Sequence, residues 1–212
     1  MKTGAPVFSA VLLAGGRSTR MGTDKALLAT GAMDGRMLWQ RQFDVLAQAG
    51  AAEIMISARP EQTWVPTGAA VVRDAVPDAG PLAGIVAALE RAAHGHLAVL
   101  AVDLPAMRPE WFESLLAECR PGVGAVGRQA GAAAHEGFFE PLAAIYPKEL
   151  MVSGREALVR GEFSLQRFLA SVVAEGRMKV RSLNEADVAL FENWNAGTRA
   201  ATRAPRSDLG FD

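Results

Sequence analysis

At 212 residues, 50% apolar and 21% charged, the chain is large enough to bury a core without disulfides or a structural metal, as one globular domain or two small ones. Its 22 basic and 23 acidic side chains leave a formal net charge of -1, which removes the basic surplus that a general nucleic-acid binder needs. A single cysteine, Cys119, rules out a disulfide framework or zinc cluster and favours a reducing, cytoplasmic setting, and no apolar run approaches the ~20 residues of a membrane-spanning helix.

The first apolar run, Phe8–Ala14, follows Lys2 and a short polar lead. Its outline is that of a secretory leader, but the run is at the short limit and a glycine and cation cluster follows at once, so it reads as a buried β-strand. Glu53–Ser57, Ala70–Arg73 and Leu97–Val102 are further short strands of the kind covered on both faces. Helical periodicity lies between them. Met37–Gln48 puts Leu38, Phe43, Val45 and Leu46 near one face with Gln42 outside it, and Ala83–Ala93 does the same with Ile85, Val86 and Leu89. Pro109–Cys119 opens on a proline and turns Trp111, Leu115 and Leu116 inward. This alternation predicts an α/β fold on a parallel sheet. Gly122–Pro147 reads as glycine-rich strands broken near Gly131. Helices then run to about Ala174, followed by a strand Met178–Leu183 and a helix Glu185–Phe191 with Asn184 as N-cap. No linker marks a boundary. Residues 1–195 read as one domain with an inserted or appended substrate-side part, and 196–212, with Arg199, Arg203 and Arg206, as a disordered tail.

The segment from Leu13 to Leu27 carries the chemistry. It places Gly15, Gly16 and Gly22 with Arg17, Arg20 and Lys25 directly after a buried strand. At the C-terminal end of a parallel strand, backbone N–H groups freed by glycine can cradle phosphate oxygens, and three cations would neutralise a triphosphate. Two familiar loops are ruled out. Gly22 is separated from Lys25 by Thr23 and Asp24, so there is no Walker A, and the contiguous Gly15 and Gly16 break the dinucleotide fingerprint G-x-G-x-x-G. Further on, Asp74 precedes Gly80-Pro81-Leu82-Ala83-Gly84, a turn opening a helix. A strand-end carboxylate there can accept from ribose hydroxyls or a base amine, or belong to an ordinary strand-turn-helix. Asp103 ends the run Leu100–Val102, where an oxygen ligand suits Mg²⁺ and where a turn or cap Asp is equally at home. Asn193 and Asn195, two apart, can reach one ligand from an extended segment or end a polar helix.

The stretch Leu13–Lys25 resembles the opening signature Leu-Ala-Gly-Gly-x-Ser-x-Arg-Met-Gly-x-Asp-Lys of the MobA-type nucleotidyltransferases, the molybdenum cofactor guanylyltransferases, and the likeness runs through about Asn195. It implies a Rossmann-like three-layer α/β/α fold with a mostly parallel sheet, of the nucleotide-diphospho-sugar transferase type. It also implies Mg²⁺-dependent transfer of GMP from GTP to the terminal phosphate of molybdopterin, with release of pyrophosphate. By the same resemblance Leu13, Ala14, Gly15, Gly16, Arg17, Lys25, Ser57, Asp74, Gly80, Pro81, Leu82 and Gly84 bind the nucleotide. Arg20 and Lys25 hold the triphosphate, Asp103 is the metal aspartate, and Asn193 and Asn195 orient phosphate oxygens. The Gly15-Gly16 pair favours the guanylyl branch over the related cytidylyltransferases. A molybdoenzyme or cofactor-delivery protein is the partner that the resemblance implies.

The chain departs from the family pattern at three places: Ser57 stands where an Asn is usual, Glu140 where a His or Gln precedes the proline, and Ala196-Gly197 where Thr-Pro follows the asparagines. These departures motivate two alternatives, another MobA-like transferase using CTP or a sugar phosphate, and a catalytically weak nucleotide-binding adaptor. Other residues invite chemistry without supporting it. His94 and His96 lack a third metal ligand and read as solvent-facing, Cys119 as a small buried filler, and Trp39, Trp64 and Trp111 as core or rim. His135 lies in a polar stretch that can touch an anionic acceptor, and Trp194 reads as packing rather than stacking.

Overall fold

The computed structural model describes residues 6–16, 24–29, 35–66, 69–73, 79–130 and 137–192. The first strand, β1 (Ser9–Leu13), lies between two parallel neighbours, β2 (Glu53–Ser57) and β4 (His96–Ala101). β3 (Ala70–Val72) extends the sheet parallel to β2. On the other side β6 (Phe139–Pro147) runs antiparallel to β4, β5 (Gly124–Arg128) antiparallel to β6, and β7 (Met178–Ser182) parallel to β5. The order is β3-β2-β1-β4-β6-β5-β7, a mostly parallel sheet.

Strand alternation sends successive side chains to opposite faces, and both faces are apolar. Ala10, Leu12, Ile56 and Leu100 pack with Leu46 of α1 (Leu38–Gln48) and with Phe112 and Leu115 of α3 (Pro109–Leu116). Val11, Met55, Val99 and Tyr146 pack on the other face. Their partners there are Leu89 of α2 (Pro81–Arg91), Ala157 of α4 (Leu150–Val159) and Leu169 of α5 (Leu165–Ala174). Helices therefore cover both faces, which makes three layers. A short α6 (Glu185–Val188) follows β7 with Asn184 as its N-cap, accepting from Asp187 N, and a 3₁₀ turn Ala189–Phe191 continues it. Phe191 meets Trp111 edge-on, with ring centroids 5.1 Å apart, while the Trp111 indole N–H donates to Ala143 O at 2.9 Å. No helix among the described residues is long and apolar enough to cross a membrane.

Two sequence expectations change. Gln42 is not outside the apolar face of its helix but fully buried, because its amide donates to Leu104 O and so ties α1 to the loop leaving β4. His96 is not solvent-facing either. It opens β4, is 4% exposed, and its Nε2 lies 3.1 Å from Arg120 O and 3.2 Å from Val123 O, carbonyls that satisfy a buried imidazole.

At the far end of the sheet from the strand C-termini, Glu53 gathers three elements. It accepts from Ser9 Oγ at 2.5 Å and from Ala93 N at 2.7 Å, and Ser9 Oγ accepts in turn from His94 N. Burial alone would raise the Glu53 carboxyl pKa. The hydrogen bonds from Ser9 and Ala93, with the charges of His94 and Lys148, outweigh that and hold it below 4.5. A depressed carboxylate contributes stability above its unfolded pKa and loses it as pH falls through the folded one. Glu53→Gln is therefore expected to melt below the parent at pH 7, with the difference closing as pH drops under 4.5, in paired thermal melts across that range.

Gly124 opens β5 where the backbone runs against β6: a Cβ there would stand 2.1 Å from Ile145 O and 2.7 Å from Pro147 Cδ. A carbonyl oxygen cannot swing aside as a side-chain tip does, so overpacking of about 3 kcal/mol is expected, or a fall of roughly 6–12 °C in Tm for Gly124→Ala. Gly95→Ala, in open space, serves as the control and should stay within about 0.5 kcal/mol of the parent.

Candidate functional site

From β1 the sheet grows through β2 and β3 on one side, and the chain then returns to place β4 on the other. Such a reversal opens a crevice beyond the carboxyl ends of the strands. Leu13 pairs with Ala101, and Val102 N donates to Leu13 O at 3.1 Å, so Gly15 and Asp103, each two residues further on, enter that crevice together. Both line a cleft of about 730 Å³.

Most of the described site residues expected from sequence come together on its walls. Leu13, Ala14, Gly15 and Gly16 form the exit of β1, Ser57 the end of β2, and Gly80, Pro81 and Gly84 the start of α2, with Lys25 and Asp103 facing each other. Gly80 is the N-cap of α2 at φ 69°, a left-handed backbone that glycine adopts without a steric penalty. Leu82 is the exception: its side chain is fully buried in the core under α2 and takes no part in the wall. Arg17, Arg20, Asp74, His135, Asn193, Trp194 and Asn195 lie outside the described residues, as do the tail 196–212 and the expected break near Gly131.

Lys25 Nζ stands 3.3 Å from Asp103 Oδ2, with the two side chains 26% and 27% exposed. Lys25 opens a 3₁₀ turn, Lys25–Leu27, that has no counterpart in the sequence reading. Asp24 caps that turn and is fully engaged: Oδ1 accepts from Ala26 N at 3.0 Å, and Oδ2 from Gln62 Nε2 at 2.7 Å and Trp64 Nε1 at 2.6 Å. Gln62 is itself a buried three-way link, because its Nε2 also donates to Ala14 O at 2.9 Å and its Oε1 accepts from Arg59 N at 2.7 Å. Trp64 stacks on Trp39 of α1 at 5.6 Å. Hydrogen bonds to an ionised group contribute about 1.5–3 kcal/mol each, so the three on Asp24 fix the residue next to Lys25 more firmly than one quarter-exposed ion pair fixes Lys25 itself. The sequence reads Trp64 only as core or rim and passes over Gln62, because their partner lies about 40 positions away.

Asp103, at the Lys25 end of the cleft, fits Mg²⁺, which takes one or two protein oxygens and completes its shell from water and substrate phosphates. Among the described residues no group of three or more His, Cys, Asp or Glu forms a self-contained metal site. Two other residues lie apart from the cleft. Glu140, on β6, is half-buried; burial raises its carboxyl pKa against the opposing hydrogen bond from Gln129 Nε2 at 2.5 Å, and Leu142, two residues on, lines the cleft in its place. Cys119 donates to Leu115 O at 3.3 Å, and burial pushes its thiol up to about 12, which makes it a packing group and not a nucleophile.

Residues 10–178 match the MobA-like NTP transferase domain. A "probable molybdenum cofactor guanylyltransferase" of Opitutus terrae is 43% identical over 92% of this chain and 94% of its own length. Among solved structures, a molybdopterin-guanine dinucleotide biosynthesis protein A from Archaeoglobus fulgidus superposes with a TM-score of 0.67 at 21% identity, over 88% of this chain and 92% of that one. The 2-C-methyl-D-erythritol 4-phosphate cytidylyltransferase of Thermus thermophilus superposes at 0.63 and 16% identity, over 85% of this chain and 91% of that one. These two likenesses concern the fold, whereas the domain match and the Opitutus relative reach across the glycine loop, Lys25 and Asp103 at one crevice: the chain belongs to the MobA-like NTP transferase family.

Proposed function

We propose that this chain is a molybdenum cofactor guanylyltransferase, moving GMP from GTP to the terminal phosphate of molybdopterin with release of pyrophosphate. The observation that carries the reading is the placement of Lys25, Asp103 and the Gly15-Gly16 backbone on one cleft at the β1–β4 reversal. The name of the Opitutus relative supplies the nucleotide and the acceptor.

The chemistry asks for position and charge more than for a proton acceptor. An oxygen of the acceptor phosphate, already anionic, attacks the α-phosphorus of GTP in line. The bond to the β-phosphate oxygen breaks, and that oxygen leaves as pyrophosphate with the electron pair. No covalent enzyme intermediate and no general base are required. Gly15 and Gly16 let the loop backbone approach the polyphosphate. Lys25, steadied through Asp24, meets its negative charge, joined from the same loop by Arg17 and Arg20, while Asn193 and Asn195 orient phosphate oxygens. Mg²⁺ held by Asp103 together with the nucleotide would supply the charge offset at the α-phosphate and the leaving group.

Binding to the native state alone raises its Tm by mass action. With Mg²⁺ and GTP at about a hundred times Kd, a rise of roughly 5–10 °C is expected, with CTP, ATP and UTP well below it. A larger shift with CTP or UTP moves the reading to a cytidylyl or sugar-nucleotide transferase, no shift with any of the four to a degenerate fold or a pocket that needs its acceptor first, and a GTP shift without pyrophosphate release to a nucleotide-binding adaptor. Asp103→Ala removes one partner of a quarter-exposed ion pair, so its Tm should stay within about 3 °C of the parent, while turnover to pyrophosphate falls at least about a hundredfold. Near-parental turnover in that variant would remove Asp103 from the mechanism.

A further inference from the structure

Beyond the Lys25–Asp103 end, the cleft continues over the ends of β2 and β3 to a wall made by Ser57, Arg59, Pro60, Glu61 and Arg73. Three carboxylates line the cleft among the described residues. Asp24 is held by Ala26, Gln62 and Trp64 at the Lys25 end, and Asp103 faces Lys25. Glu61 remains, its side chain 77% exposed and its Oε2 3.9 Å from Arg59 Nε, beyond hydrogen-bond reach. That Nε is buried and has no hydrogen-bond partner among the described residues.

The segment that carries this pair is built, not loose. Gln62 N donates to Arg59 O at 3.1 Å, closing a four-residue turn, and the Gln62 side chain returns to accept from Arg59 N at 2.7 Å. Pro60 occupies the second position, where its fixed φ pre-forms the turn. The same Gln62 amide anchors the turn to Ala14 and Asp24. Arg59 is also drawn toward the glycine loop, because its Cγ lies 3.9 Å from where a Cβ on Gly15 would stand. A cation and a carboxylate are thus presented side by side at the end of the cleft away from the phosphate charges.

Guanine offers a matching edge: an acceptor, O6, beside two adjacent donors, N1–H and the exocyclic amine. Arginine donates to O6 and a carboxylate accepts from the two donors, whereas adenine reverses the polarity at both neighbouring positions. We infer that Glu61 is a specificity-determining residue for guanine, accepting from N1–H and the 2-amino group, with Arg59 donating to O6; this rests on the guanylyltransferase reading above. Ser57 has too short a reach to do this work alone, and the turn supplies the longer side chains that the end of β2 lacks.

The test is nucleotide binding with Mg²⁺, titrated with GTP, inosine triphosphate and ATP on the parent, Glu61→Ala and Glu61→Gln. Inosine triphosphate keeps O6 and N1–H but lacks the 2-amino group. The parent should bind GTP roughly tenfold or more tightly than inosine triphosphate, and Glu61→Ala should bring that ratio to about one without moving the Tm, as a group this exposed permits. Glu61→Gln, with one acceptor and a repelling amine, should also lose most of the preference. A parent that prefers GTP to ATP but binds inosine triphosphate as well as GTP overturns the inference and leaves the guanylyltransferase reading standing, and so does a Glu61→Ala that keeps the parental ratio. A parent with no preference for GTP over ATP overturns both.

Discussion

The pairing of β1 with β4 is the constraint on which the site depends. Five consecutive residues are in parallel register, from Ser9 with Leu97 to Leu13 with Ala101, and one more backbone bond, Val102 N to Leu13 O, carries the ladder past the strand ends. Both strands are buried on both faces, so a slip of one residue would exchange the sets that face α1 and α2 and expose neither to water without loss. The register is therefore tightly held, and with it the relation between the glycine loop and Asp103. Gln42 and Arg41 act on the same junction from α1, donating to Leu104 O and Pro105 O, so the loop that carries Asp103 is tied from both sides.

A second layer of control lies around Asp24. Its carboxylate holds three donors, one on Oδ1 and two on Oδ2. What it provides is a fixed start for the turn that bears Lys25, and through Gln62 a fixed distance between that turn and the segment 59–62. The Lys25 end and the far end of the cleft thereby share one buried amide, at Gln62. A binding site built from loops gains the rigidity of the strands only through such links, since the loops themselves contribute little buried apolar surface.

Much of this was legible in the residues. The continuous apolar runs mark the first four strands to within a residue or two, the proline at Pro109 and the Asn at position 184 mark helix starts, and residue type and position single out Gly15, Gly16, Lys25 and Asp103. Leu82 was grouped with the ligand residues because it sits inside the Gly80–Gly84 loop, and it turned out to be core. Gln42 and His96 were read as solvent-facing because polarity is the only sign of orientation that a single residue gives. Each is buried against backbone carbonyls contributed by elements far along the chain.

The sequence by itself determined the alternation of strand and helix and the chemistry of the loop after β1. Hydrophobic period, glycine and proline placement and charge act between near neighbours and leave a local signature. Only the tertiary structure decided that β4 lies beside β1, that Asp24 belongs to Gln62 and Trp64, and that the turn bearing Arg59 and Glu61 faces the cleft. These depend on strand order and on hydrogen bonds across about 40 residues or more, and no local period records which distant polar group will be left to satisfy another.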